Sequence, residues 1–401
     1  MRHVIIGGGA AAGAAAGMLR QADAGADITV LCGEKRKPYA KMGLPYLLSG
    51  DVEEKNLRLR FPPGIDLRIG CAAARIDTGR RRVILADASR VPYDRLLLAT
   101  GAVPELPEID GIDSPRVFTV RNLPDIRGIL RRLPPDGGKA VLAGAGPVSM
   151  ETADALAKRG VRVTFVVSSD RLFSTMLDKP AAEVVERHLA ERGVVVRKKE
   201  DIVSIEAEGA RLRSGVTLAA DLIVFGKGVR PDLSLLPGTG IEAGRGVLTD
   251  RHQRTNVPDV YAAGDVAETL DIAWDERRVN ALWPVAVEQG RVAALNMAGI
   301  AADYPGGLAR NILRVFGLSI YVAGKGRADG PDVRRAESPG FHRKLVMNGK
   351  TLGGAIFIGE IRQEGICTDL IRNRADASPF LSSLMQRSLR YGRKMRRDLK
   401  I

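Results

Sequence analysis

The opening stretch constrains this chain more than any other. Val4-Ile5-Ile6 reads as a buried strand, and it feeds Gly7-Gly8-Gly9-Ala10-Ala11-Ala12-Gly13, a glycine turn entering a helix. Strand, glycine turn and helix N-terminus in that order make an anion cradle. Gly7 permits the tight turn, Gly9 lets backbone N–H groups approach a pyrophosphate, and Ala12 or Gly13 keeps the helix close to its strand. The helix dipole then favours the bound anion. A second strand, Ile28 to Leu31, leads to Glu34, which lies 34 − 13 = 21 positions past Gly13, where such folds hydrogen-bond an adenosine ribose.

The pattern repeats. Ala140-Val141-Leu142-Ala143 runs into Gly144-Ala145-Gly146-Pro147-Val148-Ser149-Met150-Glu151 and a helix to about Lys158, and Val161 to Val167 completes a second strand–helix–strand unit. Here Ser149 takes the third-glycine position, and Ser168-Ser169 stand where an acid for the adenosine ribose is often found. Arg171 is a candidate for a 2′-phosphate or an ordinary structural arginine, so NADH and NADPH both stay open. A strand from Ala220 to Phe225 precedes Gly226-Lys227-Gly228. A second apolar strand, Val260-Tyr261-Ala262-Ala263, delivers Gly264-Asp265 at its carboxyl end, the edge at which open α/β sheets bind ligands.

Between the cradles, Lys37 to Gly50 is broken by Pro and Gly and predicts a loop plus a short helix. Runs at Leu67 to Ile69 and Arg82 to Leu85 read as a small antiparallel excursion. Tyr93 to Thr100 reads as a buried parallel strand ending in Thr100-Gly101. From about Tyr304 the character changes to a separate α+β unit, with strands near Ile320 to Val322, Lys344 to Met347 and Gly353 to Ile358, and a hairpin signal at Asn348-Gly349. The chain closes on Arg387, Arg390, Arg393, Lys394, Arg396, Arg397 and Lys400, a basic run on a predicted helix.

At 401 residues, two or three units with sizeable cores are expected. The net charge of +14 suits an acidic partner, whereas 4% aromatic residues, not interleaved with the basic runs, disfavour nucleic acid. Met1 leads almost directly into the first strand and no apolar run reaches membrane-spanning length, so a cytoplasmic chain without a targeting peptide or membrane span is expected. Cys32, Cys71 and Cys367 form no CxxC pair, and His3, His188, His252 and His342 show no ligand spacing, so no metal site is expected.

This constellation resembles the two-dinucleotide-binding-domain flavoproteins of the pyridine nucleotide–disulfide reductase superfamily, close to its rubredoxin or ferredoxin reductase and NADH oxidase branches. The resemblance implies an α/β chain with two Rossmann-like domains and a C-terminal α+β interface domain. FAD would occupy residues 1–118 and 245–303, NAD(P)H residues 119–244, and residues 304–401 would pair subunits or dock a partner. For FAD it implies Gly7, Gly9, Ala12, Glu34, Ala73 at the adenine, Thr100, Gly101, Gly264, Asp265 on the ribityl chain, and Trp283-Pro284 at the pyrimidine edge. For NAD(P)H, with NADH favoured, it implies Gly144, Gly146, Glu151 and Gly228. Lys41 and Glu151 are the charged pair expected near the flavin N5 and the nicotinamide.

One departure sets the chemistry. Where the NADH oxidase and coenzyme A disulfide reductase branches carry a thiol before Gly-Leu-Pro-Tyr, this chain has Met42 before Gly43-Leu44-Pro45-Tyr46. A thioether has no ionisable proton and forms no disulfide, which excludes a cysteine relay there. The expected function is an FAD-dependent NAD(P)H oxidoreductase exchanging electrons with an external one-electron carrier. That carrier is an acidic ferredoxin-like protein, rubredoxin or an iron–sulfur subunit of a larger aldehyde or 2-oxoacid oxidoreductase complex. The protein itself is expected as a homodimer or a subunit of a hetero-oligomer. An NADH oxidase or small-molecule or quinone reductase is the alternative, and a nucleotide-bound scaffold or sensor the alternative of another class.

Overall fold

The computed structural model describes residues 1–362 and 364–386, and the basic run from Arg387 onward lies outside them. Two units share the chain: Met1–Gly43, Val52–Val103 and Val229–Gly307 in the first, and Leu44–Asp51, Pro104–Gly228 and Leu308–Ile401 in the second. This grouping puts residues 104–118 with the second cradle and 229–244 with the first, and joins the region after Leu308 to the second parallel sheet.

In the first unit the strand Arg2–Ile6 is apolar on both faces because both are covered. Val4 and Ile6 pack with Leu96, Leu98, Val83, Leu85 and Tyr93, while Ile5 packs with Ile28, Val30 and the helix residues Ala12, Ala15, Ala16 and Leu19. Near-continuous burial is what a parallel strand covered on two sides requires. The five strands run in the order Val260–Ala262, Arg95–Leu98, Arg2–Ile6, Asp27–Cys32, Asp66–Ile69, all parallel. Their carboxyl ends therefore share one edge, and that edge carries Gly7, Glu34, Thr100 and Gly264.

The expectation for Leu67 to Ile69 is corrected here: it pairs parallel to Asp27–Cys32 as the sheet's outer strand. The antiparallel excursion is instead Ala73–Asp77, Arg82–Leu85 and Arg90–Pro92. The physical reason is that Asp66–Ile69 is largely exposed and short, so its outward face carries none of the apolar signature that marks the inner parallel strands.

The helices Ala10–Ala22 and Trp283–Met297 pack through alanine and glycine. A Cβ on Gly290 would stand 2.4 Å from the Ala11 carbonyl oxygen, so the two backbones approach as closely as a residue without a side chain allows.

The second unit repeats the parallel design, in the order Val195–Lys198, Arg162–Val167, Lys139–Ala143, Leu222–Phe225, Val117–Phe118. It adds a five-stranded antiparallel sheet, Arg310–Val315, Leu318–Gly324, Thr351–Ile358, Phe341–Asn348, Val333–Ser338 in spatial order. The expected hairpin is present: Asn348 pairs with Thr351 around Gly349, whose φ is +59°. Both edge strands of this sheet, Arg310–Val315 and Val333–Ser338, lack the apolar runs that announce the inner ones. Among the described residues no helix is long and apolar enough to cross a membrane.

Replacing Gly290 by Val drives a side chain into the Ala11 backbone, which has no rotamer to yield with, and overpacking of this kind costs about 1–3 kcal/mol. Urea denaturation of Gly290→Val is expected to show that loss, with an unchanged slope.

Candidate functional site

At the first cradle, Gly7 has φ +128° and a Cβ there would lie 2.0 Å from the Ala99 carbonyl oxygen, so only glycine fits. Gly9 caps the helix Ala10–Ala22 with extended backbone, no side-chain hydrogen bond and no acid in the first turn, and a Cβ on it would meet nothing within 4 Å. The helix N-terminus thus presents bare N–H groups to open space, the arrangement a pyrophosphate requires. Ala12 is fully buried, in the core shared with Ala293 and Ala294. Its small side chain therefore serves the helix–helix approach.

Glu34 follows the strand Asp27–Cys32, and its carboxylate is held twice. The Tyr39 phenol donates to it at 2.7 Å, and Lys41 pairs with it at 2.7 Å. Lys41 thus has an ionic partner at the carboxyl end of the strand Asp27–Cys32 in the first unit. Ala73 begins the antiparallel excursion, one residue past Ala72, which lies against Gly33. Thr100 donates its hydroxyl to the Asp232 carbonyl at 3.0 Å, and the Gly101 carbonyl accepts from the Asp232 N–H at 3.0 Å, so the strand end is latched twice to one residue.

Gly264, at φ +83°, donates its N–H to the buried Gln289 side chain at 2.8 Å, and Gln289 in turn donates to Thr269 at 3.1 Å. Half-buried Asp265 follows at once. Trp283 and Pro284 open the helix Trp283–Met297, whose N-cap, Leu282, offers no side-chain bond, leaving a second bare helix N-terminus in this unit. Glu288-Gln289-Gly290 follows Trp283-Pro284 in the segment that the resemblance sets at the pyrimidine edge, but the bond from Gln289 to Gly264 is a feature that only the fold reveals. A polar residue next to a glycine at a helix crossing was the available signal.

The second cradle uses the same devices. Gly144 has φ +94°, and a Cβ there would lie 2.5 Å from the Gly226 carbonyl oxygen; Gly146 caps Pro147–Lys158 with open space before it. Ser149 is buried and donates to the Gly226 carbonyl at 3.2 Å, so at the third-glycine position a hydroxyl ties helix to strand end. Gly228, at φ +120°, accepts from the Glu105 N–H at 3.0 Å. Arg171 is spent on its own loop, donating to Leu177 and Ser174 carbonyls at 3.2 and 3.4 Å and pairing with Asp170 at 2.8 Å. Both cradles have the glycine clearances and bare N–H groups that a dinucleotide fits.

Glu151, on Pro147–Lys158, is the titratable group that stands apart. Burial, and then the negative charge of Asp154, push its carboxyl up to about 7. The Tyr46 phenol, on the helix Leu44–Ser49, is itself pushed up by burial and then by the Glu151 charge. That helix is tied to the end of Pro147–Lys158 by Lys158 to Asp51 at 3.0 Å and by Arg159 to the Leu48 carbonyl.

The three cysteines are free thiols. Cys32 packs beneath Gly8, where a Cβ would meet its sulfur at 2.7 Å, and burial pushes its thiol up. Met42 is 58% exposed in the turn Lys41–Gly43. Among the described residues no three His, Cys, Asp or Glu side chains converge as a metal site.

The Glu151 shift sets a pH dependence. Below about 4.5 the carboxyl is protonated in both folded and unfolded chains; between about 4.5 and 7 only the folded chain keeps the proton, so stability falls as pH rises through that window. The full effect is about 3 kcal/mol at most. Ligand-free Glu151→Gln is expected to lose this decline when melting is followed from pH 4.5 to 8, while wild type retains it.

Comparison with known proteins agrees with this geometry. The family described as pyridine nucleotide-disulphide oxidoreductase matches residues 1–290. The NADH-dependent phenylglyoxylate dehydrogenase subunit epsilon of Aromatoleum evansii is 33% identical over 98% of this chain and 97% of its own length. The NADH oxidase of Methanocaldococcus jannaschii is 31% identical over 76% of this chain and 71% of its own length. The solved NAD-dependent persulfide reductase from A. fulgidus superposes with a TM-score of 0.88 at 28% identity, covering 95% of this chain and 79% of that one. The chain belongs to the pyridine nucleotide-disulphide oxidoreductase family, as an FAD-containing NAD(P)H oxidoreductase.

Proposed function

We propose that this protein exchanges electrons between NADH and an external one-electron carrier, an acidic ferredoxin-like protein or an iron–sulfur subunit of a larger oxidoreductase. Bound FAD supplies the conversion between two-electron and one-electron exchange. Met42 carries the reading: at the position of the branch thiol stands a side chain that forms no disulfide, and it is exposed. The Aromatoleum relative, named as one subunit of an NADH-dependent dehydrogenase, matches along nearly its whole length and supports a partner subunit. The charge of +14 favours an acidic one through steering.

In this reading FAD lies along the first unit's sheet edge, with Gly7, Gly9, Thr100, Gly101, Gly264, Asp265, Trp283 and Pro284 around it, Glu34 at the ribose and Ala73 at the adenine. NADH lies on the second cradle at Gly144, Gly146 and Gly228. Glu151 faces the nicotinamide, with its carboxyl able to hold a proton near neutral pH. Lys41 acts at the first cradle together with Glu34. NADH is favoured because Arg171 has its donors occupied within its own loop. The Methanocaldococcus relative supports a second reading, an NADH oxidase with no carrier.

Anaerobic stopped-flow bleaching of the FAD-loaded protein by NADH and by NADPH, followed by mixing with oxygen or with oxidised ferredoxin, separates the two. Fast bleaching by NADH with rapid ferredoxin reduction and slow oxygen reaction is expected. Fast oxygen turnover with an idle ferredoxin favours the oxidase.

A further inference from the structure

The turn Phe316-Gly317 of the C-terminal antiparallel sheet joins Arg310–Val315 to Leu318–Gly324, and Phe316 adopts φ +50°. Both of its backbone polar groups are taken by side chains from two different helices. Its N–H donates to Asp154 Oδ1 at 2.9 Å, and its carbonyl accepts from His188 Nε2 at 2.9 Å. Asp154 is thereby fixed one helical turn beyond Glu151, on the same face. Its other oxygen lies 3.4 Å from Lys158 Nζ, with its side chain only 17% exposed. Lys158 is shared in turn with Asp51, at 3.0 Å.

We propose that Asp154 is a positioning residue for Glu151: the Phe316 N–H pins its carboxylate one turn away, and Lys158 sets how much of that charge Glu151 meets. Asp154 from its own helix and Tyr46 from the helix Leu44–Ser49 are the titratable groups that meet Glu151 among the described residues, while Lys158 and Asp51 bear on it through them, Lys158 paired with Asp154 and with Asp51, and both near Tyr46. A fixed like charge disfavours ionisation of its neighbour, and poor exposure leaves it weakly screened. The direction of the Glu151 shift, upward with Asp154 as the second cause after burial, agrees with that geometry. The seating of a hairpin in the C-terminal sheet therefore influences the proton at the second cradle. The functional consequence rests on Glu151 facing the nicotinamide; the coupling itself does not.

The test is a carboxyl ¹³C NMR titration of the full chain labelled in glutamate side chains, with Glu151→Gln identifying the resonance. Asp154→Asn keeps an oxygen to accept from the Phe316 N–H and loses the charge, so the Glu151 midpoint is expected to fall by about one pH unit. Lys158→Met removes the neighbouring cation and is expected to raise it. Asp154→Glu restores the charge and returns the midpoint toward wild type. The pH profile of flavin bleaching by NADH in the FAD-loaded variants should move in the same directions. Unchanged midpoints, or Asn and Met variants that shift the same way, overturn the proposal. Midpoints that move as expected beside an unmoved bleaching profile uphold the coupling and remove Glu151 from the nicotinamide site.

Discussion

The contact on which the first unit depends is the crossing of Ala10–Ala22 by Trp283–Met297 at Ala11 and Gly290. The helix entering the cradle cannot shift along its strand without driving Ala11 into the second helix, and that second helix carries Gln289, which holds Gly264. One steric constraint thus fixes the glycine turn and the Gly264-Asp265 corner together. A buried amide such as Gln289 is stabilising only while both ends are satisfied, and here Gly264 and Thr269 satisfy it.

Two glutamates show how surroundings give one side chain opposite roles. Glu34 accepts from a phenol and pairs with an ammonium, both at 2.7 Å. Glu151 has burial and a neighbouring carboxylate, which oppose its charge. The C-terminal sheet carries a costlier arrangement: Lys344 is buried against Asp178 at 2.6 Å, and Asp178 also caps the helix Lys179–Ala190. Removing either partner leaves the other charge buried with a more distant counterion, Asp329 at 3.2 Å for Lys344 and Arg335 at 3.5 Å for Asp178, so such a pair ties sheet to helix more than it adds net stability.

Much of this was legible in the sequence because the signals were local. Both glycine turns, the Gly264-Asp265 corner and the Asn348-Gly349 hairpin each sit in a few contiguous residues whose backbone demands are special. Illegible were the features that arise only when distant segments meet. Asp66–Ile69 was misread because an outer strand exposes too much of itself to show a burial pattern. The pairing of Lys41 with Glu34 is visible only once Tyr39 and Lys41 turn back on the strand end. Asp154 is a plain surface-type aspartate until the Phe316 turn, 162 positions away, docks on it.

The first unit is assembled from three separated pieces of chain, and this bears on how it comes into being on the ribosome. Strand Arg95–Leu98 is finished 283 − 98 = 185 residues before Trp283, the first residue of the covering helix. At synthesis rates of about 5–20 residues per second, roughly 10–40 s separate the two. Throughout that interval the alanine face of Ala10–Ala22 has no covering helix, and the outermost strand, Val260–Ala262, is missing for nearly as long. The parallel sheet of the second unit, closed by Leu222–Phe225, is made entirely within the same wait. Order of emergence therefore lets the second cradle's sheet close before the first, although the first begins the chain.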